Sequence, residues 1–274
     1  MSAPEMIPRF QQYEPTVPPR AVVLVVHGLN LHPDRMTPVC ALLQSLGVRV
    51  VRMALAGHRG DYGALEEVTR ESWLEDYRAA ARFLDEAARA DRPAGDLPPG
   101  FLGQSLGALT FCDFVLTEAP HGGYAARVAD RALFLSPAVA LRRSAQLLRP
   151  LTAITRRLPI PSASSPEDRL YPRLPAAAYR ALYASYREVR SRLSGHSVPI
   201  PSTVVMHPRD ELISRRGIER LIAEERLSKS RLVLLEQDAT ARGTNHLAVC
   251  RHTMGDANWR RFEEVAAEFV AALR

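Results

Sequence analysis

The stretch Gly103-Gln104-Ser105-Leu106-Gly107 limits what this chain can become more than any other. It follows the apolar pair Phe101-Leu102 and leads straight into the helix-favouring Ala108-Leu109-Thr110-Phe111. A serine held at the apex of a sharp turn between strand and helix leaves little room for neighbouring side chains. Gly103 and Gly107, two positions either side of Ser105, meet that demand. The order strand, tight turn, helix is that of a nucleophile elbow. Taken alone the pattern recurs by chance, so the rest of the chain must supply Ser105 with a base, an acid and oxyanion donors.

The rest of the chain reads as an alternation of strands and helices. Residues 21–26 are a continuous β-branched run, the pattern of a strand buried on both faces inside a parallel sheet. Helical spacing over 34–46 follows, then a strand at 48–51 and a Gly-rich loop to Asp61. A long helical stretch over 65–90 ends at the breaker 91–95. The elbow strand and a helix to about Glu118 come next, then a strand at 132–135. Between 138 and 200 the alternation stops. Two helices are predicted there, 141–158 with a kink at Pro150 and 176–193, separated by the Pro- and Ser-rich 159–166. The sheet resumes with 202–206, a helix over 215–227, a last strand at 231–235 and a closing helix over 258–273. About six strands are expected, with short ones near Arg9 to Tyr13 left open. The fold class is α/β: a mostly parallel sheet with helices on both faces. Residues 1–137 and 201–274 form its core, and 138–200 a helical cap.

The 274 residues, 46% hydrophobic and 24% charged, suffice for one large domain of this kind. No apolar run resembles a signal peptide or reaches membrane-spanning length. Cys40, Cys112 and Cys250 are too few and scattered for a disulfide framework, and none has metal-ligand spacing, so a cytoplasmic setting is expected. The net charge of +6 is almost wholly arginine, Lys229 being the one lysine. No nucleic-acid motif accompanies it. Arg142, Arg149 and Arg156, a heptad apart, are expected to share a helix face, either solvated or weakly attracted to an anionic membrane surface.

In an open parallel sheet, reacting groups gather at the carboxyl ends of the strands. Three such loops carry the required atoms: Ser105, then Asp210, then His246, in the order expected for this sheet type. Glu211 and, less directly, Asp238 compete with Asp210 for the role of acid. His207 and His252 compete with His246, but only His246 lies between the last strand and the last helix behind a Gly-Thr-Asn lead. The backbone N–H of Leu106 is an oxyanion donor by its place at the start of the elbow helix. The N–H of Leu29, in the His27-Gly28-Leu29-Asn30 loop after the first long strand, is the second. Tyr179 and Tyr183 in the insertion and Gln104 beside the serine are candidates for substrate contact.

These pieces resemble an α/β-hydrolase. The sequence is similar to the group of monoacylglycerol lipases, lysophospholipases and carboxylesterases in His27-Gly28, Leu55-x-Gly57-His58-x-Gly60, Gly103-x-Ser105-x-Gly107, Leu135-Ser136-Pro137, Asp210-Glu211-Leu212-Ile213 and Asn245-His246. It departs from that group in carrying Gln104 where a histidine is usual. The resemblance implies a serine hydrolase acting on small-molecule esters, with a helical cap holding an apolar acyl group, and no metal or organic cofactor. A thioesterase, amidase or acyltransferase with the same triad, or a non-catalytic binding protein of this fold, would share the pattern.

Overall fold

The computed structural model describes residues 6–89, 97–118 and 128–273. Nine strands and nine helices are described: β1 (Phe10–Tyr13), β2 (Val22–Val26), α1 (Thr37–Ser45), β3 (Arg49–Met53), α2 (Tyr62–Glu66), α3 (Arg70–Arg89), β4 (Pro99–Gln104), α4 (Leu106–Glu118), β5 (Arg131–Leu135), α5 (Arg149–Ile154), β6 (Pro159–Pro161), β7 (Arg173–Pro175), α6 (Ala176–Arg192), β8 (Ser202–Met206), α7 (Arg215–Ala223), β9 (Arg231–Leu234), α8 (Arg251–Met254) and α9 (Asp256–Ala271). Seven strands form one sheet in the order β1-β3-β2-β4-β5-β8-β9, while β6 and β7 pair apart from it. Only β1 runs antiparallel, Phe10 facing Met53 and Tyr13 facing Val50. The other neighbours are parallel.

Alternation along each strand divides the apolar residues between two faces. Val22, Leu24 and Val26 join Phe101 and Phe134 in one core, with α3, α4 and α6. Val23 and Val25 join Leu102, Leu133 and Val205 in the other, against α1 and α9. Both faces are therefore covered, and the strands read as unbroken apolar runs. Helix α4 is buried over every residue from Leu106 to Leu116, as a helix apolar all round must be. Its one buried acid, Asp113, is met by Arg70 of α3 through two hydrogen bonds of 2.7 and 2.6 Å.

Several sequence expectations need correction. The stretch 65–90 is two helices, because Thr69 and Ser72 cap a new start: each backbone N–H bonds the other's hydroxyl, at 3.0 and 3.2 Å. The breaker at 91–95 lies outside the described residues. The helix expected over 141–158 does not form as one piece; a 3-10 turn at Ser144–Gln146 precedes the short α5. Pro150 falls in the first turn of α5, where its missing N–H costs nothing, so it starts a helix instead of kinking one. Leu147, within the expected helix, is 75% exposed.

The three arginines consequently share no helix face. Arg142 bonds the carbonyl of Ile213 and Arg156 that of Glu67, so the geometric basis for a basic membrane-facing stripe is lost. The Pro-rich separator becomes β6, paired with β7 through Ile160 opposite Leu174. The closing helix also starts earlier than expected, at Asp256.

The insertion between β5 and β8 does not stand apart from the sheet. Ala178, Leu182 and Val189 of α6 belong to the same core as β2 and β4. No helix among the described residues is long and apolar enough to cross a membrane.

Candidate active site

Strand β4 ends at Gln104, and Ser105 takes φ +48°, in the left-handed region that a residue with a Cβ rarely adopts. The turn is held from three sides. Ser105 N–H donates to Leu135 O at 2.9 Å, and its own carbonyl accepts from Leu109 and Ala138 at 3.1 Å. The flanking glycines are required by close approach: a Cβ on Gly107 would stand 2.6 Å from Val26 O and 2.8 Å from His27 O. One on Gly103 would meet the Phe101 ring at 2.6 Å and Ala108 N at 2.8 Å. The elbow thus sits directly on the end of β2.

Three strand-end loops converge on Ser105. His246 Nε2 lies 2.9 Å from Ser105 Oγ, and His246 Nδ1 lies 3.1 and 3.0 Å from the two oxygens of Asp210. A carboxylate accepts, so Nδ1 carries the proton and Nε2 presents its lone pair to the serine hydroxyl. Asp210 is fully buried. Burial pushes its carboxyl up, but the hydrogen bond and charge of His246 and the N–H groups of Ile213 and Leu212 outweigh it. The group is held below the usual carboxylate range. Both N–H groups donate to Oδ1 at 2.8 Å.

The rival acids and bases lie elsewhere. Asp238 accepts from Thr240 and Ala257, at the start of α9. Glu211 does not meet the His246 ring; its carboxylate accepts the backbone N–H groups of Asn245 and His246. His207 accepts from Arg209 N, and His252 is exposed.

The loop after β2 is set by two buried imidazoles. His27 Nε2 accepts from Leu55 N at 3.1 Å and His58 Nε2 from Asn30 N at 3.0 Å. Their Nδ1 atoms face the carbonyls of Gly28 and Ala56. Each ring is therefore neutral, with its proton on Nδ1. Burial lowers both: His27 well below its ordinary value, aided by His58, and His58 to about 4. Each Nε2 lone pair is already taken by a backbone N–H, so both rings hold the loop in place.

Asn30, at φ +58°, turns the chain here. Its side chain donates to Tyr171 O and Ser162 Oγ at 2.9 Å and accepts from Tyr171 N at 3.0 Å. This fastens the loop bearing Leu29 to the insertion. Sequence reading missed Asn30 as such a link, because the partner lies 141 positions away.

A cavity of about 530 Å³ opens over Ser105 and His246. Leu29, Gln104, Tyr179 and Tyr183 line it, with Leu141, Leu148, Leu174 and Leu182 supplying apolar wall. Leu106 lies beneath, fully buried at the start of α4. Gln104 wedges between two loops: its amide donates to His246 O across 3.4 Å, and its Oε1 lies 1.9 Å from where a Cβ on Gly28 would be. A side chain at 28 would have to displace that amide. Tyr183 donates to Ala145 O at 2.8 Å, so its hydroxyl fixes the cavity wall. No group of three His, Cys, Asp or Glu side chains among the described residues could hold a metal ion.

The model of the family described as serine aminopeptidase, S33, matches residues 17–237. That span contains Ser105 and Asp210 and stops short of His246. No curated protein matches the sequence at a significant level. Among solved structures, a metagenome-derived lipolytic enzyme (LipS and LipT) is 17% identical with a TM-score of 0.72, covering 97% of this chain and 99% of the other. A monoacylglycerol lipase of Paleococcus ferrophilus is 17% identical with a TM-score of 0.70, over 97% and 98%. A soluble variant of monoglyceride lipase from Saccharomyces cerevisiae is 13% identical with a TM-score of 0.71, over 99% and 95%. At such identities the likeness is one of fold.

Proposed function

The chain belongs to the serine aminopeptidase S33 family of hydrolases, and on that premise we propose that it is a serine hydrolase cleaving carboxylic esters with an apolar acyl group. The observation that carries this reading is the chain of contacts from Asp210 through His246 to Ser105 on the floor of an apolar cavity. His246 takes the Ser105 proton as Oγ attacks the ester carbonyl carbon. Asp210 keeps the ring oriented and balances the charge it gains. The N–H groups of Leu29 and Leu106 receive the oxyanion, each such donor being worth about 3 kcal/mol of barrier. His246 returns the proton to the departing alkoxide, leaving an acyl group on Ser105. Water, deprotonated by His246, then releases the acid.

The family's name raises a peptidase reading, which makes a different demand on the cavity. A free amino terminus is a cation, and burying it requires an unengaged carboxylate. The acid of the cavity wall, Asp168, is 2.8 Å from Arg35 and accepts from Ser165. This supports a neutral, apolar acyl group over an ammonium. Monoacylglycerols and lysophospholipids, the substrate classes of the group the sequence resembles, fit that description. The residues 138–200, whose side chains make up much of the cavity wall, act as the cap over the acyl group.

A fluorophosphonate probe tests the nucleophile. It is expected to label the wild type and to leave Ser105→Ala unlabelled; equal labelling of both rules out Ser105. An ester panel of increasing acyl length, run beside an acyl thioester and an aminoacyl anilide, then tests the substrate class.

A further inference from the structure

We propose that Glu211 is a positioning residue for His246, acting on its backbone while Asp210 acts on its ring; this rests on the hydrolase reading above. His246 lies in the irregular chain between β9 and α8, behind an edge strand with a single neighbour in the sheet. A histidine carried on such a loop keeps its ring at hydrogen-bond distance from a serine only if the loop itself is anchored. Glu211 supplies that anchor. Its Oε1 accepts from Asn245 N at 3.0 Å and from Asn245 Nδ2 at 2.9 Å. Its Oε2 accepts from His246 N at 3.0 Å. One carboxylate therefore spans two successive backbone N–H groups, and hydrogen bonds to an ionised acceptor are the stronger kind.

The consequence follows from adjacency in sequence. Asp210 and Glu211 are consecutive, so one turn grips His246 at both ends, ring nitrogen and main-chain nitrogen. That turn is rigid. Asp210 N donates to His207 O, and the neighbouring Arg142 and Ser214 N–H groups donate to Leu212 O and Ala140 O at 2.8 and 2.7 Å. Asp210 alone would fix the ring's tautomer yet let the loop slide. With Glu211 the distance from backbone to ring is set from one frame, and Nε2 is delivered to Ser105. Glu211 makes no contact with the reacting atoms and is not a catalytic residue. It is also exposed, so its removal leaves no buried charge behind.

The test compares wild type with Glu211→Ala and Glu211→Gln. Five quantities are measured: thermal midpoint, fluorophosphonate labelling rate, kcat and KM on a short-chain p-nitrophenyl ester, and the downfield proton resonance of His246 Nδ1–H. For Glu211→Ala, kcat and the labelling rate are expected to fall about tenfold or more, since displacement of a reacting group by an ångström costs up to about a hundredfold. KM is expected to stay within about twofold, the signature of an interaction that serves the transition state. The resonance is expected to broaden while the fold remains cooperative.

Glu211→Gln should fall between, because its Oε1 still serves Asn245 while its NH2 meets the His246 N–H. Wild-type rates in both variants would overturn the proposal, as would a rate loss equal to the loss of folded protein. If the wild type is itself unlabelled at Ser105, the hydrolase reading fails, and the resonance alone decides: broadening in Glu211→Ala upholds the clamp, and an unchanged line overturns it.

Discussion

Ser105 and Asn30 both hold positive φ without being glycine, at +48° and +58°. Such conformations cost of order 1–3 kcal/mol each and persist only where the surroundings over-determine them. Here the surroundings are specific: Leu135, Leu109 and Ala138 around Ser105, and Tyr171 and Ser162 around Asn30. At the same scale, the neutral imidazole of His58 makes a pH prediction. Its folded pKa of about 4 lies below the 6.5 of an unfolded histidine. Between those values the unfolded chain binds a proton that the folded one refuses. Stability is therefore complete above pH 6.5 and falls as pH drops toward 4, by about 3 kcal/mol from this group. His27, also lowered, acts in the same direction. Denaturation midpoints at pH 7, 5.5 and 4.5 check this, with His58→Gln expected to fall less steeply. The comparison isolates His58 from Asp76 and Asp113, whose carboxyls burial raises and whose effect has the opposite sign.

At the scale of elements, the site depends on how closely α4 lies against the end of β2. Gly107 is the contact point. Adding a Cβ there sets it against two backbone carbonyl oxygens that cannot rotate away. Gly107→Ala is expected to cost roughly 3 kcal/mol, lowering Tm by about 6 °C, and to reduce activity by pushing the Leu29 loop from the elbow. Gly195→Ala is the control, since nothing lies within 4 Å of its Cβ position. A Gly107→Ala protein as stable and active as the control would show that the elbow tolerates separation. The shortness of α5 belongs here too. The leucine spacing over 147–158 looked helical, but Pro150 in its midst fits only a first turn, and the chain before it winds as a 3-10 turn.

Across the whole molecule, the insertion and the sheet share one core. Helix α6 packs on the same face of the sheet as α4, and Asn30 ties the β2 loop to the insertion at Tyr171. The cavity is accordingly a gap between elements of one packed body, not a cleft beneath a detached lid. If the acyl group lies in it, Leu148→Trp should shorten the acyl chain accepted. The kcat/KM for a long-chain p-nitrophenyl ester is expected to drop about tenfold or more, a change within reach of a few methylenes' worth of contact, with a short-chain ester little affected. An equal loss on both esters would place the acyl group elsewhere.

The sheet strands, the elbow and the approach of Ser105, Asp210 and His246 were legible in the sequence because each is a local signal at a strand end. Continuous β-branched runs mean strands buried on both faces, and parallel strands bring their carboxyl ends together whatever lies between. The alternation of strand and helix also stops at 138 in the sequence, between what become β5 and β8. What it could not determine was which polar groups anchor the loops and cap the helices. The role of Glu211 depends on an N–H 35 positions away, and that of Asn30 on a backbone carbonyl 141 positions away. The split of residues 62–89, the β6–β7 ribbon and the loss of the arginine stripe likewise rest on caps and pairings that hydrophobic spacing does not encode. Tertiary structure decided these because a polar group takes its partner from whatever packing brings within 3 Å, and periodicity reports only which side is apolar.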